Sequence, residues 1–163
     1  MPRVKPPLPG ALDMTPVGRL AEAGLHRILG YQLAQAAIAA TGVFAREVGQ
    51  PFELRPVEFT ILALIDENPG VSAKQLARAL ALAAPNITVW IDKLERRELI
   101  QRERSAVDRR AQHIRTTAKG AALARNAAAR LIEGERLCFG ALSPAESAML
   151  IELLHKAATC RQR

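Results

Sequence analysis

Cysteine, histidine and aromatic residues are all scarce in this 163-residue chain. Two cysteines, Cys138 and Cys160, make neither a disulfide framework nor a zinc site by themselves. Three histidines, His26, His113 and His155, stand at no metal-ligand spacing. Aromatics are only 4%, which argues against a sheet-rich fold. No apolar run reaches the roughly 18 residues that a membrane span needs, so no membrane partner is expected. Met1 to Gly10 carries prolines where a secretory leader would carry its apolar segment, and the expectation is a cytoplasmic protein. No nucleophile–base set, metal cluster or phosphate-binding loop is recognisable. An enzyme is therefore the poorest reading, and no catalytic residue, metal or cofactor is expected.

What is present is globular. Hydrophobic residues make up 49% and charged residues 24%, and the length accommodates one or two domains. Alanine and leucine dominate, which favours helix. Twenty-three Lys and Arg against sixteen Asp and Glu leave a net charge of +7, an excess suited to a polyanionic partner. From Lys93 to Lys119 there are nine basic residues (Lys93, Arg96, Arg97, Arg102, Arg104, Arg109, Arg110, Arg115, Lys119) and four acids (Glu95, Glu98, Glu103, Asp108). Five of the seven net charges thus fall in 27 residues.

Residues 1–14 hold Pro2, Pro6, Pro7, Pro9 and Gly10 and read as an extended tail. From Thr15 to about Val48, apolar residues such as Leu25, Ile28, Leu29, Leu33, Val43 and Phe44 recur at three and four, which predicts one long helix. At 1.5 Å per residue it would be roughly 50 Å long, more than a small domain can cover. Part of its stripe is expected to meet something else. Gly49-Gln50-Pro51 ends it. Pro56 opens a second helix carrying Phe59, Leu62 and Ile65, and Asn68-Pro69-Gly70 is a turn. Ser72-Ala73-Lys74-Gln75 reads as a capping box for a helix through Leu80. A helix from Pro85 to about Arg97 places Ile87, Trp90, Ile91 and Leu94 on one face and Asn86, Val89, Lys93 and Arg96 on the other. Leu99 to Glu103 and Ala111 to Thr116 read as two strands around a basic tip. Thr117 caps an alanine-rich helix to about Ala141, and Ser143-Pro144-Ala145-Glu146 is a second capping box, opening a helix to about Cys160.

Helix, short helix, turn, helix and basic hairpin form a pattern suited to duplex DNA. The N-terminal half of the second helix of a helix-turn-helix enters the major groove. Asn86 and Thr88, behind Pro85 in the first turn, are candidates for base edges, and Lys93 and Arg96 for phosphates. Val89 shares their face, Arg104 belongs to the same basic cluster, and Arg109 and Arg110 at the hairpin tip suit a narrow minor groove. Each part also has a plainer explanation. Lys93 and Arg96 can line a solvated face, Asn86 can satisfy helix-start amides, and Arg109 and Arg110 can pair with Asp108. The combination favours DNA.

Phe52 to Gly120 resembles the winged-helix core of the MarR family of bacterial transcription regulators. The residues that carry the resemblance are Asp92-Lys93-Leu94-Glu95-Arg96-Arg97-Glu98-Leu99-Ile100 and Asp108-Arg109-Arg110, followed by Thr117 and Lys119-Gly120. The family's wing signature is Asp-x-Arg, five residues, then Leu-Thr; here Thr116 stands in place of the leucine. Ala83 and Ala84 precede Pro85 where a polar cap is common, Val89 replaces a polar residue, and Glu98 replaces a glycine. The resemblance implies a mainly α fold: a winged helix-turn-helix with a two-stranded β wing, flanked by long N- and C-terminal dimerisation helices. The corresponding segments are a tail at 1–14, a dimerisation helix at 15–50, a DNA-binding lobe at 51–118 and C-terminal dimerisation helices at 119–163.

It further implies a homodimer on a palindromic operator in double-stranded DNA, with Leu20, Leu137, Leu142, Met149, Leu150, Leu153 and Leu154 supplying the interface. The alternative is that these residues close a monomeric core. A repressor relieved by a small phenolic or aromatic carboxylate effector is expected. His26, Arg27 and Tyr31, with Phe59 and Leu62, are the candidate contacts, Arg27 holding a carboxylate and His26 and Tyr31 a hydroxyl. Two other readings stay open: a winged-helix module for an acidic protein partner, and a thiol-based redox sensor using Cys138 or Cys160.

Overall fold

Proline and glycine, more than hydrophobic period, decide where the first helix begins. The computed structural model describes residues 14–104 and 112–162, the side chains of Arg104, Gln112 and Gln162 excepted. Its first helix, α1, spans Leu29–Phe44, so the helix expected from Thr15 starts fourteen residues late. Residues 15–28 are turns instead. Pro16 has no N–H to give, Gly18 takes φ +82°, and Arg19 follows at φ 49°. The reversal is closed by Thr15 N–H to the Leu20 carbonyl (2.8 Å) and an antiparallel bridge from Met14 to Ala21. His26 and Arg27 accordingly precede the helix. The described residues fall into two compact units, divided between Gly42 and Val43.

In the second unit the helical backbone runs on past the expected stop. Ala45–Gly49 forms a π turn and Gln50–Phe52 a last turn, α2. Pro51 lies in the first turn of α2, directly after the π turn. The chain leaves the helix at Glu53, in the left-handed region at φ 52°.

Helix α3 spans Pro56–Glu67, α4 spans Ala73–Leu80 and α5 spans Ala84–Arg96. The Ser72 capping box forms as expected: Gln75 N–H donates to Ser72 Oγ (3.3 Å) and Ser72 N–H to Gln75 Oε1 (3.0 Å). Ala81, at φ 51°, ends α4 and makes the turn into α5. Strands β1 (Ile100–Arg104) and β2 (Gln112–Thr116) pair antiparallel, with Ile100 opposite Thr116 and Glu103 opposite His113. Helix α6 covers Ala118–Cys138, capped by the Thr117 hydroxyl, which accepts from Gly120 N–H at 3.0 Å. Helix α7 covers Pro144–Ala158, opened by the Ser143–Glu146 capping box, and a 3-10 turn, Thr159–Gln162, follows.

The core joins Leu54, Ile61, Leu62 and Ile65 to Leu76, to Ile87, Ile91 and Leu94, to Leu99, Ile100 and Ile114, and to Ala124 and Ala127. Small residues let α6 approach closely. A Cβ on Gly120 would lie 1.8 Å from the Leu99 carbonyl oxygen, and one on Gly134 would lie 2.5 Å from Glu47 Cγ. Trp90, expected on the same apolar face, packs half-buried against the edge of the core, with the Arg55 guanidinium and the Lys93 ammonium over its ring. No described helix is long and apolar enough to cross a membrane.

Candidate nucleic-acid interface

Helix α5 has two unlike faces because its apolar residues recur at three and four. Ile87, Ile91 and Leu94 are sealed in the core. Pro85, Asn86, Thr88 and Arg96 are exposed, and Val89 keeps 59% of its surface open. The structure thus brings Pro85, Asn86, Thr88, Val89 and Arg96 onto one outward face. Asn86 does not act as the helix cap; residue 83 holds that position, and it is an alanine. Thr88 Oγ1 donates back to the Ala84 carbonyl (3.1 Å), which still leaves the hydroxyl oxygen able to accept.

Lys93 is placed differently from its expected role. Its Nζ lies 2.6 Å from Oε1 of Glu58, a carboxylate with no exposed surface at all. The other Glu58 oxygen accepts the Arg55 backbone N–H at 2.7 Å. Lys93 therefore neutralises a buried charge, and its ammonium is not available in this arrangement for a phosphate. Several other members of the basic cluster are likewise engaged. Arg97 donates to the Glu53 and Phe52 carbonyls (2.9 and 2.8 Å). Arg102 bridges Asp92 and Glu95. Arg115 meets Glu103 at 3.0 Å, and Lys119 meets the Arg97 carbonyl at 2.9 Å.

The hairpin is anchored at its base. His113 Nδ1 lies 2.8 Å from the Gly70 carbonyl, Val71 bridges Ile114, and the Thr116 hydroxyl donates to Asp66 at 3.0 Å. Arg104 ends β1. Arg109 and Arg110, with the rest of the tip, lie outside the described residues. Sequence reading missed the cations beside α5. Lys74 and Arg78, four apart on α4, line a 670 Å³ groove with Ala77, Leu82, Ala84 and Thr88. Arg55 stands 5.7 Å from the centre of the Trp90 ring. The spacing of Lys74 and Arg78 on an exposed helix face was the available signal.

The expected effector contacts fare unevenly. His26 and Arg27 are exposed. The Tyr31 hydroxyl donates to the nearly buried carboxylate of Glu22. That hydrogen bond, then partial desolvation and the Glu22 charge, lift the phenol above its ordinary 10.0. Phe59 is half-buried, its ring 5.9 Å from that of Phe44. Leu62 is a correction: it has no exposed surface and faces the core, so it offers a ligand no wall. Cys138 and Cys160 are both exposed free thiols. Among the described residues no cluster of side chains could hold a metal ion.

A helix-turn-helix followed by an antiparallel wing defines a winged-helix DNA-binding protein. The model of the MarR family matches residues 54–111. A putative transcriptional regulatory protein for the hcr operon of Thauera aromatica is 34% identical over 129 residues, 78% of this chain and 77% of that protein. Among solved structures, the transcriptional repressor CouR bound to a 23-mer DNA duplex is 30% identical, covering 86% of this chain and 99% of that one, at a TM-score of 0.78. BpsR of Bordetella bronchiseptica, whose DNA binding is regulated by 6-hydroxynicotinic acid, shares the fold at a TM-score of 0.72 and 22% identity, over 82% of this chain and 95% of that one. The chain belongs to the MarR family of DNA-binding transcriptional regulators.

Proposed function

We propose that this chain is a homodimeric repressor that reads a palindromic operator through α5 and the wing and is released by a small aromatic carboxylate or phenol. The observation that carries the reading is the outward face of α5. Pro85, Asn86, Thr88 and Val89 have no packing role, while the opposite face is locked into the core. Asn86 and Thr88 supply hydrogen bonds to base edges and Val89 an apolar contact suited to a thymine methyl. Arg109 and Arg110 enter the adjoining minor groove.

Two-fold symmetry is supported by α7, none of whose residues is buried. Met149, Leu150, Ile151, Leu153 and Leu154 are 40–69% exposed, and Ile132 and Leu137 on α6 are 65% or more. So many large apolar side chains left open on two helices mark an interface with another chain. A dimer also presents two reading heads to the halves of an inverted repeat. The effector half of the reading rests on the family, with Arg27 as the carboxylate partner and His26 and Tyr31 beside it. Because the Tyr31 proton is directed to Glu22, its oxygen accepts a hydrogen bond from the effector's hydroxyl.

Selection of bound fragments from a genomic pool tests this. One inverted repeat should be recovered, protected symmetrically in footprinting, by a protein of twice the chain mass in light scattering. A monomer, or recovery without an inverted repeat, refutes it. Benzoate- and hydroxycinnamate-type acids then assay release, and Arg27→Ala should blunt release with unliganded binding intact; unchanged release refutes the effector assignment.

A further inference from the structure

The cations around α5 divide by what already holds them. Lys93, Arg96, Arg97, Arg102, Arg115 and Lys119 are each bound to a carboxylate or a backbone carbonyl within the fold. Arg55, Lys74 and Arg78 have no carboxylate partner among the described residues. These three occupy definite places. At 3.6 residues per turn, Thr88 and Trp90 fall on opposite flanks of the outward face of α5. Lys74 and Arg78 line the groove on the Thr88 flank, where α4 runs beside α5. Arg55 stands on the Trp90 flank, at the start of α3, its guanidinium over the indole.

We propose that Arg55 on one side and Lys74 with Arg78 on the other bind the phosphates that border the major groove, so that the recognition helix is held between two cationic rails. The proposal rests on the reading that α5 enters DNA. A side-chain-decorated helix is about 10–12 Å across, and the major groove is about 12 Å wide. Cations on both flanks of such a helix therefore face the two phosphate backbones. Trp90 is a positioning residue: stacking restricts the rotamers of Arg55 and keeps its fork extended beside α5. Phosphate contacts fix register without reading bases, so the rails leave sequence choice to Asn86, Thr88 and Val89.

The probe is a fluorescent pool of random-sequence duplexes, which isolates the sequence-independent term. Affinity is measured from about 50 to 200 mM salt for wild type, Arg55→Gln, Lys74→Gln/Arg78→Gln, Trp90→Leu and, as a control, Lys156→Gln on α7. Each lost phosphate contact lowers the slope of log affinity against log salt by about 0.9. Arg55→Gln should lower it by about 0.9 per chain and the double variant by about twice that, with Lys156→Gln unchanged. Trp90→Leu should weaken binding less than Arg55→Gln, and Arg55→Gln/Trp90→Leu should be no weaker than Arg55→Gln alone. Urea midpoints confirm that each variant is folded. Wild-type slopes in Arg55→Gln and in the double variant overturn the proposal while leaving DNA binding through α5 standing. A wild-type protein that binds no duplex overturns both.

Discussion

Replacing Lys93 with methionine should cost folding stability rather than a DNA contact. The pair it forms with Glu58 is 2.6 Å long, and the carboxylate is wholly buried, whereas the lysine side chain keeps 38% exposure. At an effective dielectric near 20, the attraction at this distance is roughly 6 kcal/mol, most of it offset by desolvation of both ions. Removing one partner of a buried pair typically costs about 3–5 kcal/mol, because the other charge is left without compensation. Water can reach the Lys93 end, so the lower bound, about 3 kcal/mol, is expected for Lys93→Met. Glu58→Gln leaves an acceptor for the Arg55 N–H and lets the ammonium turn to solvent, so about 1 kcal/mol is expected. The double variant should return to within about 1 kcal/mol of wild type, since neither charge is then stranded. Urea unfolding at one fixed protein concentration reads all four corners of the cycle. Lys93→Met stability within about 0.5 kcal/mol of wild type, together with a salt slope lowered by about 0.9, would show that Lys93 meets a phosphate after all.

Glu98 sits at φ 58°, so Glu98→Gly should stabilise the fold by about 1 kcal/mol in the same urea assay; a loss would mean that its 3.6 Å pair with Lys119 matters more than the backbone. Gly120→Ala should destabilise by about 3 kcal/mol or more, because the new methyl meets the Leu99 backbone, which cannot step aside. Arg110→Ala should weaken operator binding about tenfold or more with an unchanged urea midpoint; equal affinity would remove the wing tip from the interface. At the start of α7, the Ser143 backbone N–H and then its hydroxyl hold the Glu146 carboxyl below its ordinary 4.5. A lowered folded value means that this support is complete above 4.5 and fades as the pH falls through the folded value. Amide protection in the first turn of α7, taken as exchange relative to the intrinsic rate at each pH, should therefore fall on acidification, and Glu146→Gln should abolish that fall.

Helix ends closed by local chemistry were readable in advance. Ser72 with Gln75, Ser143 with Glu146, and Thr117 over Gly120 each join groups within three residues, so no distant partner could alter them. The same locality explains Leu80 as the end of α4 and Pro85 in the first turn of α5. The first helix failed because a period of three and four reports which side is apolar, not whether the backbone stays helical. Thr15 to Ala21 closes on itself around Pro16 and Gly18. Beyond Val48 the error ran the other way, since a π turn carried the helix through Gly49 and Pro51.

The composition, the order of elements and the outward residues of α5 follow from the sequence itself, because amphipathic period and capping act over a few neighbouring residues. Which cations remain available to a polyanion does not. Lys93 and Arg96 are equally basic and lie three apart, yet one reaches a carboxylate buried on another helix, while the other stays exposed and only turns its Nε back to the Asp92 carbonyl of its own helix (3.3 Å). A charge is neutralised by whatever lies within a few ångströms in space, and only the folding of α3 against α5 brings Glu58 that close.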